Sequence, residues 1–392
     1  MTQTARLKLG PAVSDGTRPG VVTDQGGLCV DCKIADDDPG QAPRSAAELA
    51  LTHGDMAFLV ATAARAPSVH NTQPWKFRVR GNAVELLADP SRKLHRIDPV
   101  GRELMISCGG ALFGLRLGLR KLGYLAAVDF LPDPAQPGLV ARVGPDGRAP
   151  MSRAEVELLA ALPHRHTHRG PFAPGEIPTR LLTEMRLDAA AEGGELVLVE
   201  DPALVKDLAG LVSAAAEEQR ASPEIAAELA RWVQPLDSQA RDGVPASARL
   251  APMGDPPTGD EHTGGAPAGD VRREDEARPR LPERDFGRPG TEIAGGVPPS
   301  ATAVLVTAGD DAADWLRAGQ ALHRLLLRAA TRWVFASLQS QPLELPRYRW
   351  QVAERLSLSG YPQMLLQFGR ANTALATARR PKAELMTNDQ QG

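Results

Sequence analysis

The stretch that decides the fold is RAPSVHNTQPWKFRV, Arg65–Val79. Between two prolines it gathers Ser68, His70, Asn71, Thr72 and Gln73, and at Trp75 it turns into an alternating run. Pro67 ends a helix, because proline disfavours helical geometry in the residue before it. Upstream, Leu49, Met56, Leu59 and Val60 recur at helical spacing and predict that helix over 46–65. Downstream, WKFRVRG and AVELLA predict a hairpin turning on Gly81 and Asn82. The loop between helix and strand is thus unusually dense in hydrogen-bonding side chains.

Farther out, Leu104, Cys108, Ala111, Leu112, Leu115, Leu119 and Leu122 predict an amphipathic helix over Arg102–Gly123. Its middle, SCGGA, contains two glycines, each costing about 1 kcal/mol of helix propensity. Such a pair implies that another backbone or a flat ligand approaches closely, with tight helix packing as the first reading. The strand-like VDFL and LVARV close this first unit. A second unit follows with a helix at Arg153–Leu162, the loop HRHTHRGPF, a helix at Pro178–Ala191, the strand ELVLVE and a helix at Ala203–Gln219. It resumes with the strand TAVLVT, a helix at Ala312–Phe335, a short helix at Arg347–Leu356 and the strand MLLQF. The organisation expected is α+β, with a flexible tail at 1–44, a first half at 45–160, a second half at 161–385 and a polar end at 386–392. Within the second half, 235–300 is rich in Gly and Pro and reads as a lid or a disordered insertion.

A net charge of −3 gives no basic field for nucleic acid or an anionic membrane, and no run of about 18 apolar residues exists to span a bilayer. Three cysteines make no disulfide framework for 392 residues, so a cytoplasmic protein with a small-molecule partner is expected. Phosphate-loop, dinucleotide, zincin and hydrolase-elbow motifs are absent. Cys29 and Cys32 are a lone C-x-x-C pair, and His164, His166 and His168 are interleaved with Arg165 and Arg169, which repel a cation; no metal is expected. Those arginines, four apart around Thr167, instead match a phosphate or another delocalised anion, and Arg379 and Arg380 form a second cationic pair.

RAPSVHNTQPW, RELMISCGGALFGLRLGL, RHTHRGPF, WLRAGQALHRLLL, PQMLLQFG and ARRPKAEL occur in that order, and together the chain resembles the Acg-type tandem nitroreductases from about Ala46 to Leu385. The resemblance implies a pseudo-dimer of two mixed, largely antiparallel sheets flanked by helices, with FMN between the halves. It implies an FMN-dependent oxidoreductase passing electrons from NAD(P)H to a nitro compound, quinone or similar acceptor. The chemistry would sit on the flavin N5, with no protein side chain as catalyst. The alternative is a protein that holds or sequesters FMN in an occluded site without turnover. By resemblance, Arg165, Thr167 and Arg169 match the family's Arg-x-Ser-x-Arg element, with Arg169 toward the flavin's pyrimidine edge. Ser68, Asn71, Gln73, Pro74 and Trp75 belong to the partner-side loop that binds the cofactor, and Arg379, with Arg380 beside it, is the phosphate arginine. Thr377 stands where many relatives carry a lysine. The fused chain leaves room for a homodimer of the whole protein.

Overall fold

The computed structural model describes residues 49–170, 172–235, 238–245, 279–282, 284, 299–372 and 377–387. The expected N-terminal tail, with its CVDC pair, and most of the Gly/Pro-rich insertion lie outside the described residues. The first helix, α1 (His53–Ala63), starts later than its apolar period because Thr52 caps it: Asp55 N–H donates to Thr52 Oγ1 at 3.1 Å, and Thr52 N–H donates to Asp55 Oδ2 at 2.8 Å. β1 (Trp75–Arg80) and β2 (Ala83–Ala88) form the hairpin, turning at Gly81 with φ +56°. α2 (Arg102–Lys121) is followed by β3 (Tyr124–Phe130), β4 (Leu139–Arg148) and α3 (Arg153–Ala161).

In the second part come α4 (Thr179–Ala191), β5 (Gly194–Val199), α5 (Pro202–Ala221) and α6 (Pro223–Arg231). Then follow β6 (Ala301–Thr307), α7 (Ala312–Ala330), β7 (Val334–Leu338), α8 (Gln341–Glu344), α9 (Pro346–Arg355), β8 (Tyr361–Arg370) and α10 (Lys382–Leu385). One correction concerns α7. The apolar period predicts helix to Phe335, but the chain leaves it at Ala330, Trp333 takes φ +55°, and Val334–Leu338 is an edge strand. A short apolar strand directly after an apolar helix carries no period of its own.

The strands make two four-stranded sheets of the same order, β1-β2-β4-β3 and β5-β6-β8-β7. Every ladder between named strands is antiparallel; the mixed character expected of them is confined to single parallel bridges at Phe77–Met386 and Thr167–Ala336. These bridges are crossings between the parts. The C-terminal segment returns to the first sheet, where Thr387 N–H donates to Phe77 O at 2.9 Å and Leu385 is buried in the first core. In the other direction, the segment after α3 joins the second sheet, where His168 N–H donates to Ala336 O at 2.8 Å.

Between the sheets, α2 and α7 pack backbone to backbone. A Cβ on Gly109 would meet the Leu316 carbonyl, and one on Gly319 would meet the Ile106 carbonyl and lie 2.8 Å from Gly109 Cα. Helix packing thus accounts for Gly109. Its neighbour Gly110 faces Ala66 and Pro67, which a Cβ on that glycine would approach to 3.5 and 3.4 Å, so the loop after α1 sits directly on α2. No helix among the described residues is long and apolar enough to cross a membrane.

Candidate functional site

The polar loop stores backbone strain. His70, Asn71 and Gln73 have φ of 44°, 55° and 48°, a left-handed region that costs non-glycine residues on the order of 1 kcal/mol each. Local bonds hold it: Asn71 N–H donates to Ser68 O at 3.0 Å, and Gln73 N–H donates to Ser68 Oγ at 3.0 Å. The rest of its side chains are spent on two distant segments. Asn71 Nδ2 donates to Gly243 O and Ala378 O at 3.1 and 3.3 Å, while its Oδ1 accepts from Arg379 Nη1 at 3.1 Å. Gln73 Nε2 donates to Arg241 O at 2.8 Å, and its Oε1 accepts from Arg380 N–H at 2.9 Å.

These bonds revise the reading of the loop. Asn71 and Gln73 clamp the C-terminal segment and residues 241–243 near the start of the insertion, and neither lines the cavity described below. Pro74 and Trp75 do not line it either: Pro74 O accepts from Asp89 N–H at 3.0 Å, and Trp75 is fully buried in the first core. Arg380 joins the polar loop to its own segment, donating to Gln73 O at 3.2 Å and to Glu384 O at 3.0 Å. Such partners, chosen by tertiary contact, leave no mark in local sequence.

Beside the loop lies a cavity walled by Ser68, His70, Glu103, Thr167, Arg169 and Arg284, with Ile106, Leu322 and Met364 as apolar surface. Ser68, Thr167 and Arg169 therefore line one cavity. Ser337 on β7, with Gln339 and Ser340 just after it, completes a wall that no sequence motif marks. Arg284 was invisible in a segment without period; it is fixed by Glu344, whose two carboxylate oxygens accept from its Nη2 at 2.7 and 2.6 Å. The histidines of HRHTHR are stacked on aromatic rings, His166 on Phe335 at 4.3 Å and His168 on Phe172 at 4.6 Å between centroids.

Electrostatics sharpen two parts of the site. Burial pushes the Glu103 carboxyl up to about 7; Arg102, its ion-pair partner, opposes this, while Glu344 and Asp98 add to it. Burial also holds the His70 imidazole down at about 3, with Arg284 and Arg169 in the same direction and Glu344 against. In the folded state Glu103 keeps its proton between its ordinary value of 4.5 and about 7, where the unfolded chain has released it. Stability is therefore lost as pH rises through that window. Glu103→Gln is expected to remove a slope on the order of 1 kcal/mol per pH unit between pH 5 and 7, measured as denaturant midpoints of the two proteins. Parallel midpoint curves would contradict the assignment.

The second part is cationic. Arg165, buried, donates from Nη2 to Arg65 O at 3.4 Å, and Arg379 donates from Nη2 to the same carbonyl at 3.4 Å and to Ala66 O at 3.2 Å. The 165–169 loop and the C-terminal arginine thus converge on one backbone oxygen. Burial holds Arg165 down at about 10 with help from Arg65, and burial together with Arg165 and Arg65 holds Arg379 well below the usual arginine range. Arg165 Nε and Nη1 and Arg379 Nε are buried without a hydrogen-bond partner among the described residues. Buried guanidinium donors left unmatched cost free energy, which an anion beside them would offset. Arg65, the first residue of the motif, joins the site although its sequence context marks it only as a helix end.

No family model matches the chain. It is similar to "Putative NAD(P)H nitroreductase Rv3131" of Mycobacterium tuberculosis (strain ATCC 25618 / H37Rv), 34% identical over 314 residues that cover 79% of this chain and 83% of that protein. "Putative NAD(P)H nitroreductase acg" of the same organism is 26% identical over 330 residues, covering 83% of this chain and 93% of that protein. Among solved structures, a nitroreductase with bound FMN from Desulfitobacterium hafniense DCB-2 is 12% identical with a TM-score of 0.32, covering 59% of this chain and 98% of that one.

Proposed function

The chain belongs to the family of the Mycobacterium tuberculosis protein named "Putative NAD(P)H nitroreductase Rv3131", and on that premise we propose that it is an FMN-dependent oxidoreductase accepting electrons from NAD(P)H. The observation that carries the reading is the convergence of Arg165 and Arg379 on the Arg65 carbonyl with buried N–H groups left over. A phosphate dianion offers several acceptor oxygens and the charge these donors lack. Arg165 and Arg379 would hold that phosphate, with the Arg65 charge beside them. Ser68 and Thr167 are hydroxyl donors in the adjoining cavity, Arg169 places a cation there, and Ile106, Leu322 and Met364 give it an apolar surface. When bound, FMN supplies the two-electron redox chemistry between nicotinamide and acceptor.

The chain's own residues then have defined work. Asn71 orients Arg379 through its Oδ1, and Gln73 fixes the segment that carries it through Arg380 N–H. Glu103 lines the cavity wall, where burial favours its protonated form more than in an exposed carboxyl. A nitro compound or quinone is the acceptor class proposed. We also read the two sheets of equal order as two halves meeting near residue 160, with the insertion at 235–300 belonging to the second.

Purified protein is expected to carry yellow flavin that bleaches on anaerobic mixing with NADPH, at a rate within the range of about 1 to 1,000 per second common to enzymes. Absence of flavin after reconstitution with FMN would overturn the cofactor assignment. Retained flavin that NADPH does not bleach would overturn turnover and favour the flavin-holding alternative.

A further inference from the structure

His323 lies on α7 and is completely buried, with its ring edge-on to Phe113 at 5.6 Å between centroids. Its Nδ1 is 2.7 Å from the carbonyl oxygen of Gly110 on α2. A carbonyl only accepts, so Nδ1 carries the hydrogen and donates. The tautomer is thereby fixed: Nε2 bears either a lone pair or, in the cation, a second hydrogen. Nε2 is buried and has no partner among the described residues. Gly110 itself faces Ala66 and Pro67, next to the Arg65 and Ala66 carbonyls that receive Arg379. The unmatched nitrogen sits on a ring that Arg165 and Arg379, the bearers of the unmatched N–H groups, both act on electrostatically.

A lone pair among arginine donors is a poor neighbour for a phosphate dianion, and a second N–H is a good one. We propose that His323 closes the anion site: as the phosphate of the flavin mononucleotide binds, Nε2 takes up one proton from solvent and donates it to a phosphate oxygen. This rests on the FMN reading above. The charges facing the ring are Arg165 from the loop after α3 and Arg379 from the C-terminal segment, with the Gly110 carbonyl on α2 opposing them. Without an anion, burial and these two arginines hold the imidazole down at about 3. A dianion reverses the balance, so binding and protonation are linked, and affinity must fall as pH rises through the protonation of the complex.

The test follows FMN leaving the holoprotein on dilution, by the return of its fluorescence, from pH 7 to 9. The phosphate is already a dianion across that range, its second ionisation lying near about pH 6. In the wild type the dissociation constant is expected to rise with pH, approaching about tenfold per unit once His323 in the complex deprotonates. His323→Asn keeps a donor for Gly110 O and removes Nε2; it is expected to bind FMN about tenfold more weakly at pH 7 with a flat profile. His323→Gln, offering a neutral donor, is expected to recover part of the affinity, also with a flat profile. Parallel profiles for wild type and His323→Asn would overturn the proposal. If the asparagine variant does not fold, a wild-type constant unchanged between pH 7 and 9 overturns it alone. Failure of the wild type to retain or bind FMN at all would instead overturn the flavin reading.

Discussion

Gly319→Ala is expected to destabilise the protein by about 3 kcal/mol or more, the upper part of the range for overpacking. The added methyl would overlap the Ile106 carbonyl of α2 and come within 2.8 Å of both Gly109 Cα and Gly110 N. These are helix backbone atoms, which cannot turn aside as a side chain can, so α2 and α7 must separate along their seam. The consequence reaches the site, because Glu103, Ile106 and Ser107 on α2 and Leu322 on α7 line one cavity, and Gly110 fixes His323 across the same seam. Loss of stability and loss of bound flavin should therefore occur together. Guanidinium denaturation with flavin content measured on the same sample checks this. A midpoint within about 0.5 kcal/mol of wild type, the usual scatter of an indifferent surface change, would contradict the packing account.

Arg165→Ala combined with Arg379→Ala is expected to abolish retention of the cofactor while the fold persists. A hydrogen bond to a charged group contributes about 1.5–3 kcal/mol, so two lost together weaken binding by about a hundredfold to ten-thousandfold. Folding should tolerate the change, since both guanidinium groups are held against their preference: burial and Arg65 push each down, Arg165 adds to this at Arg379, and three of their nitrogens lack partners among the described residues. Far-ultraviolet circular dichroism and the absorbance of the purified variant give the two readouts. An unfolded variant would mean that the arginines support the structure more than the site.

Much of this architecture was legible because periodicity is local. The helical spacing of Leu104–Leu122 and the alternation either side of Gly81 report elements whose apolar faces meet a core, whatever the rest of the chain does. Strand β7 was lost because only Thr331, Arg332 and Trp333 separate Val334–Leu338 from α7, too short a break to stop the helical reading before Phe335; Ser337 and Gln339 beyond it carry no motif of their own. The site was legible in part. Arg165, Thr167 and Arg169 read as an anion-binding spacing, and the structure brings Arg165 to Arg379. Asn71 and Gln73 read as ligand donors because a short polar loop shows its chemistry and not its partners; the partners lie at 241–243 and 378–380. His323 in ALHRLLL resembles any core histidine, and only the Gly110 carbonyl that fixes its tautomer sets it apart. Arg65 contributes a carbonyl and a nearby charge, neither of which a motif reveals.

Arg165 and Arg379, brought together at the Arg65 carbonyl, would form one phosphate-binding site, and comparing the affinities of FMN and riboflavin tests this most directly, since the two differ only in the phosphate. The wild-type protein is expected to prefer FMN by at least about a hundredfold, and the Arg165→Ala, Arg379→Ala protein to bind both equally weakly. A wild type that binds riboflavin as tightly as FMN, or a double variant that keeps the full preference, would contradict it.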